Sequence, residues 1–249
     1  MASEQPKSVV KHPYLPKDLK LPLYISNVKS TTEILAILAV AAGVLVIFAW
    51  YLSGLKLRQQ KFCFKRRMVL CWFFLCAFIH MVLEGYFAIY HATLAGHTSI
   101  LGEMWKEYSK CDSRYISSDT FTVCMETITA AIDGPLALIT FLAFIYGSNY
   151  RYGFQLMLSL FQLYGDVLYF STEWKDGFVH GHTDDPLFFY FYFLFLNSLW
   201  IIIPTILVID ALRHIASCQK VSDFYIDTYN RKMAKRNVSY YTNHHDKSK

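Results

Sequence analysis

The run Ile34–Leu52 constrains this chain more than any other feature. It reads ILAILAVAAGVLVIFAWYL, 19 residues without a charge. About 20 apolar residues in a helix cross the hydrocarbon core of a bilayer. A backbone in that medium must satisfy its own hydrogen bonds, which a helix does. The run starts late, behind a polar segment, and no small-residue cleavage site follows, so it does not read as a signal peptide. Four further stretches share its character: about Met68–Tyr90, Phe121–Tyr146, Phe154–Phe170 and Leu187–Ile209. Each carries aromatic residues near its ends, as interfacial belts do. The expected fold is therefore an all-α polytopic membrane protein with five transmembrane helices. Only 17% of the residues are charged, against about 25% in soluble domains, and those charges are confined to particular stretches.

Their placement sets an orientation. The loop 55–67 holds Lys56, Arg58, Lys61, Lys65, Arg66 and Arg67, and the segment after Ile209 holds Arg213, Lys220, Arg231, Lys232, Lys235, Arg236, Lys247 and Lys249. Between the fourth and fifth stretches the balance is acidic, with Glu173, Asp176, Asp184 and Asp185 against Lys175. Lys and Arg stay on the cytoplasmic side. Five spans then give a lumenal N-terminal segment over residues 1–33, a five-helix membrane domain over 34–216 and a basic cytosolic tail over 217–249. Lysines 7, 11, 17, 20 and 29 oppose this orientation, but most lie far from the first span. Asn237-Val238-Ser239 matches a glycosylation pattern that a cytosolic tail would never present to the transferase. Only Cys111 would be lumenal, so no internal lumenal disulfide is expected.

Ionisable groups inside a span are expensive and mark functional sites by default. His80 and Glu84 sit at i, i+4 in the second stretch. Glu126, Thr129 and Asp133 share a face of the third, just before Gly134-Pro135, and Gln162, Asp166 and Tyr169 share a face of the fourth. Asn197, Trp200 and Pro204 share one in the fifth. Four helices thus each present a polar stripe, best satisfied around a common polar-lined cavity. Polar residues in membrane helices also act as interhelical glue, and that reading suits Gln162, Asp166 and Tyr169 better than chemistry; Asp133 is balanced between the two. It suits His80, Glu84 and Glu126 poorly, because no Lys or Arg lies within the five spans to pair with the acids. An imidazole and two carboxyls in an apolar pocket form an acid–base site awaiting a cationic species.

Other chemistries fit less well. One imidazole and two carboxylates make a poor zinc site, and only His80 of the nine histidines lies deep in a span. His180-Gly181-His182 with Asp184 and Asp185 reads as a solvated loop more readily than a loose metal site. No phosphate-binding glycine loop, dinucleotide fingerprint or serine-nucleophile elbow is present. The basic residues act as topology signals rather than a nucleic-acid footprint. No internal repeat supports a transporter. The run Trp105–Tyr115 mixes charge and aromatics between the second and third spans, as a cap over the cavity mouth or as an interfacial helix.

Several ordered blocks then carry a resemblance. They are His12-Pro13-Tyr14-Leu15-Pro16, Trp105-Lys106-Glu107-Tyr108, Asp112-Ser113-Arg114-Tyr115, Met125–Ala130, Gln162–Tyr169 and Asn197-Ser198-Leu199-Trp200. Together they resemble the EXPERA family, in its sterol-isomerase branch, over about residues 12 to 215. The resemblance implies a multi-pass enzyme of the endoplasmic-reticulum membrane in sterol and cholesterol biosynthesis, with the nuclear envelope left open as a second location. The implied reaction moves a sterol double bond from C8–C9 to C7–C8 through a protonated carbocation, without a cofactor or metal. By the same resemblance His80, Glu84, Glu126 and Asn197 are catalytic, and Thr129, Trp200, Tyr115 and Asp112 bind substrate. Implied partners are a Δ8-sterol, cationic amphipathic amines that mimic the carbocation, and membrane lipid; nucleic acid is not among them, and a homodimer is left open. At Asp133 the resemblance leads one to expect a bulkier residue, whereas an acid also occurs in a relative that binds without isomerising. The alternative reading is such a non-catalytic sterol- or amine-binding EXPERA protein, emopamil-binding-like or sigma-2-receptor-like.

Overall fold

The computed structural model describes residues 11–55 and 62–245, with side chains through residue 235. Among the described residues there are helices, turns and loops but no strands. Helix α1 spans Thr31–Gly54. Ser30 begins it: its hydroxyl accepts the Glu33 N–H, and the Glu33 carboxylate accepts the Ser30 N–H at 2.8 Å. This reciprocal arrangement satisfies donors that a helix start leaves free. Helix α2 runs over Phe64–Tyr90, α3 over Ile100–Tyr108, α4 over Thr120–Ile145 and α5 over Arg151–Lys175. Helix α6 opens as a π-helical segment, Leu187–Leu196, and continues as Asn197–His245. It passes residue 217 unbroken, so the start of the basic tail is a change of composition and not of backbone.

Among the described residues, four helices are long and apolar enough to cross a membrane: Thr31–Gly54, Phe64–Tyr90, Thr120–Ile145 and Leu187–Lys235. Helix α5 has 25 residues, also long enough at about 1.5 Å per residue. It is less apolar because Gln155, Ser159, Gln162 and Glu173 lie on its buried side.

Two aromatic cores hold the helices. One joins Leu70, Phe73, Phe74, Phe141, Phe144, Leu158 and Leu207 near the basic loop. The other joins Tyr14, Phe87, Trp105, Tyr115, Tyr169 and Phe193 at the opposite end. Two topology charges also tie the first end together. Arg66 donates to Asp210 at 3.0 Å and to Gln155 at 3.2 Å, and the Arg67 guanidinium lies 3.8 Å from the Trp50 ring centre. Lys7, Lys56, Arg58, Lys61, Lys247 and Lys249, which carry part of the orientation argument, lie outside the described residues, as do the Arg236 and Asn237 side chains.

Helices α2 and α4 meet at Gly134. A methyl there would sit 3.1 Å from the Met81 backbone nitrogen and 3.3 Å from His80 Cβ. Small residues permit such close approach between membrane helices. We expect Gly134→Ala to push α4 away from His80 and to lower any activity that depends on this junction by about 10-fold or more, in line with the sensitivity of reacting geometry to small displacements. Assays normalised to the amount of folded protein check this.

Candidate active site

The spans do not present their polar residues on regular helices. Helix α2 widens into a π turn over Ile79–Glu84, where the Gly85 N–H reaches back to the His80 carbonyl. Helix α4 does the same over Thr129–Asp133, with the Gly134 N–H bonded to the Thr129 carbonyl. The π segment of α6 ends where Asn197 begins. Such turns cluster at functional sites because they re-aim side chains within a continuous helix. Here His80, Glu84, Thr129 and Asp133 lie within the turns and Asn197 adjoins one.

The imidazole and the first carboxyl meet directly. His80 Nδ1 is 2.8 Å from both oxygens of Glu84, and His80 Nε2 is 2.9 Å from Gln162 Nε2 on α5. With the Gln162 amide as donor, Nε2 accepts and Nδ1 donates to Glu84. His80, Glu84 and Glu126 are all buried, and the Glu84 and Glu126 carboxyls lie close enough to act on one another electrostatically. Asp133 is buried beside them. The Tyr115 hydroxyl donates to Glu126 Oε1 at 2.6 Å. Burial, together with the neighbouring Glu126 charge, pushes the Tyr115 phenol well above its usual range, so it remains a donor.

The Asn197 amide faces the Tyr108 hydroxyl, with Oδ1 at 3.1 Å and Nδ2 at 2.9 Å, and Tyr108 lies 3.5 Å from the Tyr169 hydroxyl. Trp200 stands edge-on to His80 with ring centres 6.3 Å apart, and 5.3 Å from Trp72. The Thr129 hydroxyl donates to the Met125 carbonyl of its own helix at 2.8 Å. His80, Glu84, Glu126 and Tyr115 thus form one connected group, with Trp200 against His80. Asn197 joins through the tyrosines, and Thr129 makes no hydrogen bond to the acids.

The run 105–115 is a buried cap rather than a helix resting on the surface. Lys106, Glu107, Asp112, Ser113, Arg114 and Tyr115 are all buried. Trp105 Nε1 donates to the Leu83 carbonyl inside the α2 π turn at 2.8 Å. The N-terminal segment straps the cap down: Lys106 Nζ donates to Ile25 O at 2.7 Å, Glu103 accepts the Val28 N–H at 2.8 Å, and Ser113 donates to Leu15 O. Asp112 is buried inside the cap. Arg114 grips it with two nitrogens at 3.0 and 2.6 Å, reaches Glu173 at 3.3 Å, and sits 4.7 Å from the Tyr169 ring centre.

Glu173, Asp176 and His180 bring their ligand atoms within 4.8 Å of one another, but Glu173 already holds Arg114 and His180, at 3.3 and 2.7 Å. His182 is engaged elsewhere, 2.8 Å from Pro13 O. The bond to Glu173 raises the His180 pKa. A raised folded-state value means that the pairing stabilises fully below the unfolded value of about 6.5 and fades as pH rises through the folded one. We expect up to about 1 kcal/mol to be lost on that rise, read as a falling melting midpoint that His180→Gln flattens.

The EXPERA (EXPanded EBP superfamily) family model matches residues 100–211, which cover the cap, the acid-bearing α4, α5 and the start of α6. The mouse 3-beta-hydroxysteroid-Delta(8),Delta(7)-isomerase is 47% identical over 212 residues, 85% of this chain and 92% of that protein. The guinea-pig protein of the same name is 42% identical over the same length, and a probable isomerase of that name from Arabidopsis thaliana is 32% identical over 222 residues, 96% of its length. The chain belongs to the EXPERA family.

Proposed function

We propose that this chain is a sterol Δ8–Δ7 isomerase. An acid protonates C9 of the Δ8 double bond, a tertiary cation forms at C8, and a base removes a proton from C7. The reaction moves one proton on and one off, so it requires a donor, an acceptor and something to hold the cation between the two steps. The observation that carries this reading is the contact between His80 and Glu84 with Glu126 buried beside them, and with no Lys or Arg among the described residues bonded to either acid. Glu84 with His80 acts as proton donor and relay. Glu126, held by Tyr115, stabilises the cation electrostatically and accepts the second proton. Trp200 faces the cation as an aromatic neighbour. Asn197 acts through Tyr108, and Thr129 lines the substrate path from its π turn. The same anionic site suits cationic amphipathic amines.

The similarity to enzymes named for this reaction supports the assignment. Five crossings in the endoplasmic-reticulum membrane, N-terminus lumenal and C-terminus cytosolic, are consistent with the alternation of loops. Loops 91–99, 109–119 and 176–186 gather at the cap end, and the basic loop at the other. The test is conversion of a Δ8-3β-hydroxysterol to its Δ7 isomer by membranes expressing the chain. Conversion above the level of empty membranes is expected. Tight amine binding without conversion would establish the binding-protein alternative instead.

A further inference from the structure

Among the described residues, three buried oxygens of helix α5 have no hydrogen-bond partner: Ser159 Oγ and, on the following turns, Gln162 Oε1 and Asp166 Oδ2. They stand one turn apart, so they share a face of the helix. That face is the one turned to the reaction site. Gln162 contacts His80 through its nitrogen, and Tyr169, three residues beyond Asp166, meets Tyr108 beside Asn197. Asp166 is close enough to Glu126 to feel its charge. Neither the acid–base steps nor the helix packing uses the Asp166 carboxyl. A buried acceptor without a donor costs free energy unless a partner arrives.

A 3β-hydroxysterol is apolar except at one point. Its hydroxyl is a donor, and a donor taken out of water must find an acceptor. We propose that Asp166 accepts the hydrogen bond of the substrate's 3β-hydroxyl and so makes this site selective for hydroxylated sterols, with the ring carbons C7–C9 laid against Glu84 and Glu126. This rests on the isomerase reading above and names the group that orients its substrate. A site built to bond a hydroxyl rejects an analogue lacking it, because its own polar atom is then left unpaired.

The experiment compares a Δ8-3β-hydroxysterol with its 3-deoxy analogue in membranes carrying the full chain. The wild type is expected to favour the hydroxysterol in kcat/KM by about 10- to 100-fold, the range set by leaving a buried acceptor unpaired. Asp166→Leu is expected to collapse that preference, mainly by raising KM for the hydroxysterol, with turnover of the deoxy analogue within about 3-fold of wild type. Asp166→Asn, which keeps an acceptor oxygen, is expected to restore part of it. Equal loss on both substrates would mean that Asp166 only supports the helix bundle and would overturn the proposal. A wild type without preference overturns it with no variant needed. A wild type that converts neither sterol contradicts the isomerase reading itself.

Discussion

Replacing Glu84 with glutamine lowers Δ8-to-Δ7 turnover by about 10²- to 10⁴-fold, the usual worth of a positioned acid–base group, while the protein still accumulates in the membrane. Both Glu84 oxygens lie 2.8 Å from His80 Nδ1. Glutamine keeps the volume and one acceptor oxygen, so the imidazole keeps a partner and the π turn keeps its shape. What disappears is the transferable proton. Stability is not expected to suffer, since the substitution conserves volume and the His80 contact. Glu126→Gln gives a loss of similar size. The double variant falls little further, because groups that act as a unit are not additive. Initial rates normalised by immunoblot measure all three. A Glu84→Gln protein that retains more than about a tenth of wild-type turnover would remove Glu84 from the acid–base role.

The second large effect concerns folding. Arg114→Met strips the cation from two buried carboxylates, Asp112 and Glu173, whose side chains are 0% and 3% exposed. Breaking a buried pair from one side costs about 3–5 kcal/mol, because the abandoned charge stays in place. For a chain of this size that is a drop on the order of 10 °C in melting midpoint. Methionine retains most of the packing against Tyr169, which separates lost charge from lost volume. Adding Asp112→Asn to Arg114→Met recovers part of the loss, since one of the stranded charges is gone. Activity falls along with stability, because the same cap delivers Tyr115 to Glu126. Unchanged melting in detergent would mean that the cap does not depend on this ion pair.

Much of this architecture was legible in the residues. Uncharged runs such as Ile34–Leu52 have one structural solution in a membrane, and the structure contains a helix at each of the five expected stretches. The acid pair was legible because Glu84 and Glu126 had no basic residue within their spans to answer them. Other parts were hidden for physical reasons. A π turn changes the hydrogen-bond register without changing composition, so the widened segments at Ile79–Glu84 and Thr129–Asp133 left no mark on the apolar pattern. The charged aromatic run from Trp105 suited either a cap or an interfacial helix, and only its burial separates the two. Tyr108 sat in that run with no periodicity to tie it to Asn197. Gln162 read as interhelical glue or as support behind the site, and its amide does join two helices by contacting the ring nitrogen of His80. The signal available for it was its i, i+4 relation to Asp166. Thr129 shares the Glu126 stripe, and its hydroxyl bonds the Met125 carbonyl of its own helix.

The central claim is that protein carboxyls carry the double bond across through a cation, one proton arriving at C9 and another leaving from C7. Isomerisation in D₂O by membranes expressing the wild-type chain tests it most directly. The Δ7 product is predicted to gain a single deuterium, located at C9. Efficient conversion to a product of unchanged mass would mean that hydrogen moves within the substrate, and would contradict the roles given to Glu84 and Glu126.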